Sequence, residues 1–367
     1  MKMLIAGAGP AGLYLAYLAR RQLPAWQVRI VEQNPRDSTF GFGVVFSDRA
    51  LEFLRADDPE TYALITPAME TWTGLTVVHR GVPVVIDGIG FSAIGRLRFL
   101  GLLHRRLEAV SVFPEFGKSI ADKRQLQGFD LVVAADGVNS FVRSTADFGT
   151  SLRPLANRFA WFGTTRVFET LTQSFVENDS GTFNAHHYRH SPALSTFVFE
   201  CDPATWARAG FARMDEAQTL AYCERTFADT LAGERLVTNK SVWRNFPNLR
   251  NSRWSAGNTV LLGDAQRTAH FSIGSGTRLA MEDAIALMKS LVDFKNDIPG
   301  ALASFEAARR PVVDKLVAAA DASADWYEHF PEHMRLAPLD FAWSYIQRSG
   351  RIDAQRLGKT SPKFVDG

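Results

Sequence analysis

A glycine-rich turn close to the amino terminus constrains the fold more than any other feature of the sequence. Residues 7–12 (GAGPAG) follow an apolar run at 3–6 and begin a helical pattern that extends over 10–23. A second apolar run at 28–31 ends at Glu32. A strand, a tight turn, a helix and a second strand in this order form a βαβ unit, which implies a parallel sheet.

The spacing of the glycines in this turn predicts a dinucleotide site. Gly7 permits the tight turn, Gly9 lets the backbone approach a pyrophosphate, and Gly12 lets helix and strand pack closely. The helix start presents unpaired N–H groups to the phosphates, and the Glu32 carboxylate would accept hydrogen bonds from ribose hydroxyls. The motif leaves open whether the dinucleotide is FAD or NAD. The predicted contacts from this unit are Gly7, Gly9, Pro10, Ala11, Gly12, Glu32 and Gln33.

Composition limits the remaining classes of protein. The chain has 367 residues, more than one typical domain of ~100–200 residues. Its net charge of +2 gives no footprint for nucleic-acid binding. Cys201 and Cys223 lack metal-ligand spacing and are expected to be reduced thiols, and no apolar stretch reaches the ~18 residues of a membrane span. We therefore expect a cytoplasmic protein that binds no nucleic acid, membrane or metal.

Two later segments repeat the pattern of a buried strand followed by a turn. Residues 131–134 (LVVA) precede Asp136 and Gly137, and residues 260–262 (VLL) precede Gly263 and Asp264. A carboxylate at a strand end, such as that of Asp264, suits the hydroxyls of a ribityl chain. The N-terminus of the helix that follows favours negative charge. That glycine-bearing helix start comprises Gly274, Ser275, Gly276 and Thr277.

The order of these three motifs resembles that of the single-component FAD-dependent aromatic monooxygenases, the p-hydroxybenzoate hydroxylase-like superfamily. The resemblance covers nearly the whole chain and implies FAD as cofactor, with NADH or NADPH as a transient co-substrate. It also implies that Asp136 and Gly137 contact both nucleotides. Arg96 resembles the family's Arg-x-x-Leu helix start, whose arginine supports the FAD phosphate or ribose, and Arg98 is the alternative.

A narrower branch of that superfamily resembles the chain at residues 41–46 (GFGVVF), 161–165 (WFGTT) and 270–277 (HFSIGSGT). The branch contains salicyloyl-CoA 5-hydroxylase, the monooxygenase half of anthraniloyl-CoA monooxygenase/reductase and the tryptophan-hydroxylating enzyme of violacein biosynthesis. Gly43 and Val44 are expected to approach the flavin ring from the side opposite His270 and Phe271. His270 and Phe271 replace two prolines of the wider superfamily, which puts transfer of its substrate geometry in doubt.

The resemblance implies the chemistry of an aromatic ring hydroxylase. Reduced flavin would react with O2 to form a C4a-hydroperoxide, whose distal oxygen attacks an electron-rich ring. The expected substrate is an aryl-CoA thioester such as salicyloyl-CoA or a related hydroxy- or aminobenzoyl-CoA. A free indole- or tryptophan-type substrate and a flavoprotein reductase without hydroxylation are the alternatives. His270 is the candidate that orients or deprotonates a phenol, and Phe271 is a candidate pocket wall.

Three charged or histidine-rich segments have more than one interpretation. The run 186–190 (HHYRH) is interpreted as the end of a surface strand, with a cavity-lining sheet edge and a metal site as alternatives. Residues 104–106 (HRR) and 309–310 (RR) are candidate partners for CoA phosphates, but solvated helix faces explain them better. The CoA enzymes of the branch often continue into a flavin-reductase-like domain. The chain is therefore expected to be a stand-alone hydroxylase or to work with a partner reductase domain or protein.

The expected fold class is α/β, with a Rossmann-like FAD-binding domain, an inserted antiparallel β-sheet substrate domain and C-terminal helices. Residues 1–75, 96–155 and 251–367 would form the three parts of the FAD-binding domain, the last including the C-terminal helices. Residues 76–95 would form a hairpin of the substrate domain, and residues 156–250 its main sheet.

Two patterns define these expectations more closely. Apolar runs at 159–168, 181–188 and 195–199 predict strands without helices between them, as in an antiparallel sheet. The helix after Gly276 should bury one face through apolar residues at helical spacing. The residues expected on that face are Met281, Ala284, Ile285, Met288 and Val292.

Overall fold

The computed structural model describes residues 1–39, 41–47 and 51–366. Its strands are β1 Lys2–Ala6, β2 Gln27–Glu32, β3 Gly43–Ser47, β4 Glu70–His79, β5 Val82–Gly95, β6 Glu115–Phe116, β7 Leu131–Ala134, β8 Thr150–Thr164, β9 Leu171–Asn178, β10 Gly181–Arg189, β11 Ser195–Cys201, β12 Leu236–Val237, β13 Arg244–Asn251, β14 Ser255–Ala256 and β15 Thr259–Leu261. Its α-helices are α1 Pro10–Gln22, α2 Glu52–Asp57, α3 Pro59–Ile65, α4 Arg96–Glu108, α5 Phe141–Ser144, α6 Pro203–Ala209, α7 Glu216–Thr226, α8 Ala228–Leu231, α9 Gly276–Phe294, α10 Ile298–Glu328, α11 Phe330–His333, α12 Pro338–Gln347, α13 Ala354–Thr360 and α14 Pro362–Asp366. These elements confirm the α/β class.

The first sheet carries the glycine-rich turn. Its strands lie in the order β14-β15-β7-β1-β2-β6, and all neighbours are parallel except the pair β14–β15. The carboxyl ends of β1, β7 and β15 therefore meet at one edge, which brings together turns that are far apart in sequence. Helices α1, α4 and α9 pack on this sheet through a buried apolar core. No helix in the described part of the chain is both long and apolar enough to cross a membrane.

The second sheet is larger and almost entirely antiparallel. Its strands follow the order β12-β8-β11-β10-β9-β4-β5-β3, with β13 also paired to β8. Among the strands of the described residues, only the neighbours β4 and β9 run parallel. One face packs on α6, α7 and α8 through an aromatic core that includes Phe183 and Phe199, whose ring centroids are 5.3 Å apart. The C-terminal helices α10 and α12 cover part of the opposite face.

The structure differs from the sequence-based expectations at several elements. Strand β9 was not expected, because its centre, Thr172–Gln173–Ser174, is polar although all three residues are buried. Val292 is 39% exposed, so its predicted place on the buried face of α9 is wrong. The buried stripe of that helix continues from Met288 to Leu291, three residues later, which turns position 292 toward solvent. Strands β3 and β4 both belong to the second sheet, where each pairs with β5. The proposed domain boundaries stay a prediction.

Candidate active site

Two adjoining cavities lie at the edge where β1, β7 and β15 end. The smaller has a volume of about 460 Å³ and the larger about 710 Å³. The residues that line both are Gly9, Pro10, Arg96, Ala135, Gly137 and Asn139. Of the predicted cofactor contacts, all except Gly12 line at least one of the two cavities. The carboxyl edge of a parallel sheet is the usual ligand site of such folds.

In the glycine-rich turn, the lack of a side chain has a different consequence at each of the three glycines. Gly7 has φ +100°, and a Cβ there would lie 2.2 Å from the carbonyl oxygen of Ala135. A Cβ on Gly12 would lie 2.0 Å from the carbonyl oxygen of Gly7, so this position serves helix–strand packing. A Cβ on Gly9 would meet no atom within 4 Å. Gly9 therefore leaves open the space at the N-terminus of α1, where a phosphate group fits.

Glu32 is held at the end of β2 beside the smaller cavity. One carboxylate oxygen accepts a hydrogen bond from the Ala8 N–H at 2.8 Å, and the other accepts from the Asn34 N–H and its side-chain amide, each at 2.8 Å. Gln33, Arg36 and Lys118 line the same cavity. Carboxylate oxygens accept more than one hydrogen bond, so Glu32 retains capacity for ribose hydroxyls.

The turn after β7 brings Asp136 and Gly137 to the smaller cavity. One Asp136 oxygen accepts a hydrogen bond from the Val142 N–H at 3.2 Å, and the other is buried with no partner in the described part of the chain. Burial raises the pKa of Asp136. Gly137 has φ +80° with no atom within 4 Å of a Cβ built there, so it combines a left-handed backbone with open space.

Arg96 and Asp264 are far apart in the sequence, and both line the larger cavity. Arg96 begins α4, and its Nε has no hydrogen-bond partner in the described residues. Burial lowers the pKa of Arg96, and the charge of Asp264 opposes this shift. The Asp264 side chain is exposed at the cavity. Desolvation by the surrounding protein raises the pKa of Asp264, while the charges of Arg96 and Arg267 act to lower it. Both groups are placed to pair with polar groups of a ligand.

The start of α9 forms another wall of the larger cavity, through Gly274, Ser275, Gly276 and Thr277. Gly274 adopts φ +59°, and no side chain of the described ranges caps the N-terminus of the helix that follows. The first N–H groups of this 19-residue helix are therefore available to a ligand.

A buried ion-pair network fixes this helix. Arg267 Nη2 lies 2.5 Å from one Asp283 oxygen, and Arg309 Nε lies 2.7 Å from the other. The Arg309 guanidinium also pairs with Glu282 at 2.9 Å. Arg309 is thus engaged inside the protein, and Arg106 likewise pairs with Glu60 at 2.6 Å. Arg309, with 13% of its side chain exposed, therefore does not lie on the solvated helix face that was expected, and its ion pairs do not support the alternative role of a CoA phosphate partner. Arg106, with 16% of its side chain exposed, does not support that alternative either.

The second sheet supplies a further wall of the larger cavity. Gly43 and Val44 of β3 reach the larger cavity, as expected. The Gly43 N–H donates to Thr196 Oγ1 at 2.9 Å, and its carbonyl accepts from the Tyr188 hydroxyl at 3.0 Å. A Cβ on Gly43 would lie 2.6 Å from His190 Cβ, so a side chain there would displace this strand.

The predicted catalytic pair occupies two different positions. Phe271 lines the larger cavity, whereas His270 is not among its lining residues. His270 Nδ1 lies 2.8 Å from Ser272 Oγ, and its ring packs against Phe246 with centroids 4.9 Å apart. Burial lowers the pKa of His270 to about 3, so the ring is neutral at physiological pH. The catalytic role of His270 stays a prediction.

The interpretation of residues 186–190 as the end of a surface strand is wrong. His186, His187 and His190 are all buried, because β10 is a central strand with both faces covered. His186 lines the larger cavity, as the sheet-edge alternative would have it, while His187 points to the opposite face. No group of three or more potential metal ligands occurs among the described residues.

Several lining residues of the larger cavity were not predicted as site residues, although Trp161 belongs to the segment 161–165 that resembles the narrower branch. Phe159, Trp161 and Val198 project from β8 and β11 beside His186. Trp243 and Phe246 come from the region of β13. Their alternation within strands was the available signal, because residues two apart share a face. Which face meets a cavity depends on the fold.

The residues present fit an FAD molecule. The smaller cavity offers a carboxylate for ribose and an open glycine turn, and the larger cavity offers apolar and aromatic walls with a helix N-terminus. The unpaired Arg96 Nε and the open space at Gly9 and Gly137 independently indicate that a polar ligand completes the site.

A sequence profile described as an FAD-binding domain matches residues 118–320. The chain belongs to this FAD-binding family. It is 40% identical to a salicyloyl-CoA 5-hydroxylase of Streptomyces over 100% of this chain and 73% of that protein. It is 36% identical to the 3-hydroxy-4-methyl-anthranilyl-[aryl-carrier protein] 5-monooxygenase of Streptosporangium sibiricum over 90% of each protein.

The protodeoxyviolaceinate monooxygenase of Chromobacterium violaceum is 33% identical over 95% of this chain and 94% of that protein. The solved structure of 2-methyl-3-hydroxypyridine-5-carboxylic acid oxygenase superposes with a TM-score of 0.74 at 17% identity, over 98% of this chain and 95% of that one. This likeness confirms the fold. With these relatives, the chain is an FAD-dependent aromatic monooxygenase, and the expected family and cofactor are confirmed.

Proposed function

We propose that this monooxygenase hydroxylates the ring of an aryl-CoA thioester, such as salicyloyl-CoA or a related hydroxy- or aminobenzoyl-CoA, with NADH or NADPH and O2 as co-substrates. The observation that carries the proposal is 40% identity over the full chain to a salicyloyl-CoA 5-hydroxylase. The carrier-protein relative supports it, because its name also gives a substituted aromatic acyl group on a carrier.

The residues of the two cavities would have different roles in such a reaction. Bound FAD would supply the redox chemistry and the activation of O2. Glu32 would hold the adenosine ribose, Asp264 would accept hydrogen bonds from ribityl hydroxyls, and the N-terminus of α9 would stabilise negative charge on the reduced ring. Phe271 and the aromatic residues of β8 would exclude water and position the substrate ring.

The test is turnover by the purified protein reconstituted with FAD. NADH or NADPH oxidation and O2 consumption would be followed with salicyloyl-CoA, anthraniloyl-CoA, the hydroxybenzoyl-CoA isomers and tryptophan, and products identified by mass spectrometry. We expect a thioester to stimulate NAD(P)H oxidation together with formation of its hydroxylated product. NAD(P)H oxidation that yields only hydrogen peroxide with every compound would instead indicate a reductase or oxidase.

A free indole- or tryptophan-type substrate is the second candidate. The 33% identical relative from Chromobacterium violaceum favours it, since that protein is named for a substrate without a CoA carrier. Hydroxylation of tryptophan alone in the same panel would decide for this candidate.

A cytoplasmic location remains part of the proposal, supported by the buried and unpaired thiols of Cys201 and Cys223.

A further inference from the structure

One histidine in the wall of the larger cavity is left unsatisfied by the protein. His186 is 4% exposed, and both of its ring nitrogens are buried without a hydrogen-bond partner among the residues that the structure describes. Other buried histidines nearby are paired through one ring nitrogen: His187 Nε2 lies 2.9 Å from Ser174 Oγ, and His190 Nδ1 lies 3.2 Å from Thr196 Oγ1. A buried polar group without a partner is costly, and a position where a water or a ligand can bind is one explanation of such a group.

The surroundings of His186 are mainly aromatic. Its ring centroid lies 5.5 Å from that of Tyr188 and 6.4 Å from that of Phe271, and both of these residues also line the cavity. On the neighbouring strands its register partners are Val198 and Gln173. The imidazole is therefore one of several polar groups on this face, which also carries Tyr188 and Gln173, and it lies beside Phe271, the side chain predicted to form the pocket wall.

The protonation state of His186 limits what it can bind. Burial, together with the charge of Arg348, lowers the pKa of His186 to about 3, so the ring carries one N–H donor and one acceptor nitrogen at neutral pH. The acceptor suits a phenolic O–H or an aromatic N–H, and an unsubstituted ring offers it nothing.

We propose that His186 is the residue that recognises the hydroxyl or amino substituent of the aromatic substrate by a hydrogen bond to its neutral imidazole. The proposal rests on the proposed function for the identity of the ring, and it assigns substituent specificity to β10. Such a contact holds the electron-donating group at the sheet wall. Because the substituent is anchored there, the contact also fixes which ring carbon faces the flavin.

The experiment compares two thioesters that differ only in the substituent. Dissociation constants of salicyloyl-CoA and benzoyl-CoA for the FAD-loaded enzyme would be measured from perturbation of the flavin absorbance. The CoA portion is common to both ligands, so its contribution cancels in the ratio. We expect wild-type enzyme to favour salicyloyl-CoA by roughly tenfold or more, and His186→Leu to bring the ratio close to one.

Two further variants separate recognition from folding. His186→Gln keeps a donor and an acceptor and should retain part of the preference. His187→Gln alters the next buried histidine, which stacks on Phe197 on the opposite face, and should leave the ratio unchanged. FAD content, read from the visible spectrum, confirms that each variant is loaded.

The outcomes distinguish this inference from the proposed function. A wild-type preference that persists in His186→Leu overturns the role of His186 and leaves the proposed function standing. Wild-type enzyme that neither binds nor hydroxylates either of the substituted thioesters salicyloyl-CoA and anthraniloyl-CoA overturns the proposed function, and the inference with it. Loss of the preference in His186→Leu, with retention in His187→Gln, supports both.

Discussion

At the residue scale, the glycine-rich turn separates ligand approach from packing. A Cβ at Gly12 meets the backbone of Gly7, whereas a Cβ at Gly9 meets open space. We predict that Gly12→Ala lowers the free energy of unfolding of the apoprotein by roughly 1–3 kcal/mol, because the backbone must shift. Gly9→Ala should leave that value within about 0.5 kcal/mol of wild type. It should weaken FAD binding by roughly tenfold, which corresponds to about 1.4 kcal/mol.

Urea unfolding of the apoproteins and fluorescence titration with FAD measure these two quantities separately. Each variant is the control for the other, since both add one methyl group within the same turn. Equal destabilisation of the two apoproteins would contradict the assignment of Gly9 to ligand approach.

At the element scale, the face of the second sheet beneath α10 carries a buried carboxyl group. Glu200 of β11 is 2% exposed and accepts a hydrogen bond from the Asn157 amide at 2.9 Å. Burial raises the pKa of Glu200 to about 8. The ordinary pKa of a glutamic acid, which applies to the unfolded chain, is ~4.3. Between this pH and about pH 8, the folded protein therefore keeps a proton on Glu200 that the unfolded chain has released. Wild-type stability should therefore fall as the pH rises through this window.

Glu200→Gln removes this titration and keeps a side chain of the same shape. We expect the free energy of unfolding of the variant, relative to wild type, to increase between pH 5 and pH 8 by roughly 1 kcal/mol or more. Urea unfolding at several pH values measures the difference, with Glu234→Gln, at an exposed position, as the matched control. A constant difference between the two proteins across the window would show that Glu200 is already ionised in the fold.

The same scale shows where sequence reasoning succeeded and where it stopped. The turns at residues 7–12, 136–137 and 263–264 were predictable, because each combines a backbone requirement with a strand end. Strand β9 was not, since its buried polar residues hide the apolar pattern. Choosing between His270 and His186 as the cavity histidine needs the pairing of β10 with β9 and β11, a long-range contact that no local pattern encodes.

At the scale of the whole molecule, the site depends on both sheets. The smaller cavity belongs to the first sheet alone, through Glu32 and the glycine-rich turn, while the larger also includes Gly43 and Val44 of the second. An adenosine group would fill the smaller cavity, and an isoalloxazine ring the larger. A ligand that occupies both binds only the folded arrangement of the two sheets, and so stabilises the entire chain by mass action.

This division predicts different effects of FAD and FMN on thermal unfolding. At 100 times its dissociation constant, FAD should add about 2.7 kcal/mol of stability, which raises the midpoint by roughly 4 °C or more. FMN at the same concentration should raise it less, because it lacks the adenosine group that Glu32 would hold. Glu32→Gln should then reduce the shift caused by FAD and leave that caused by FMN unchanged. Equal shifts with both flavins, in wild type and variant alike, would mean that the smaller cavity does not hold the adenosine.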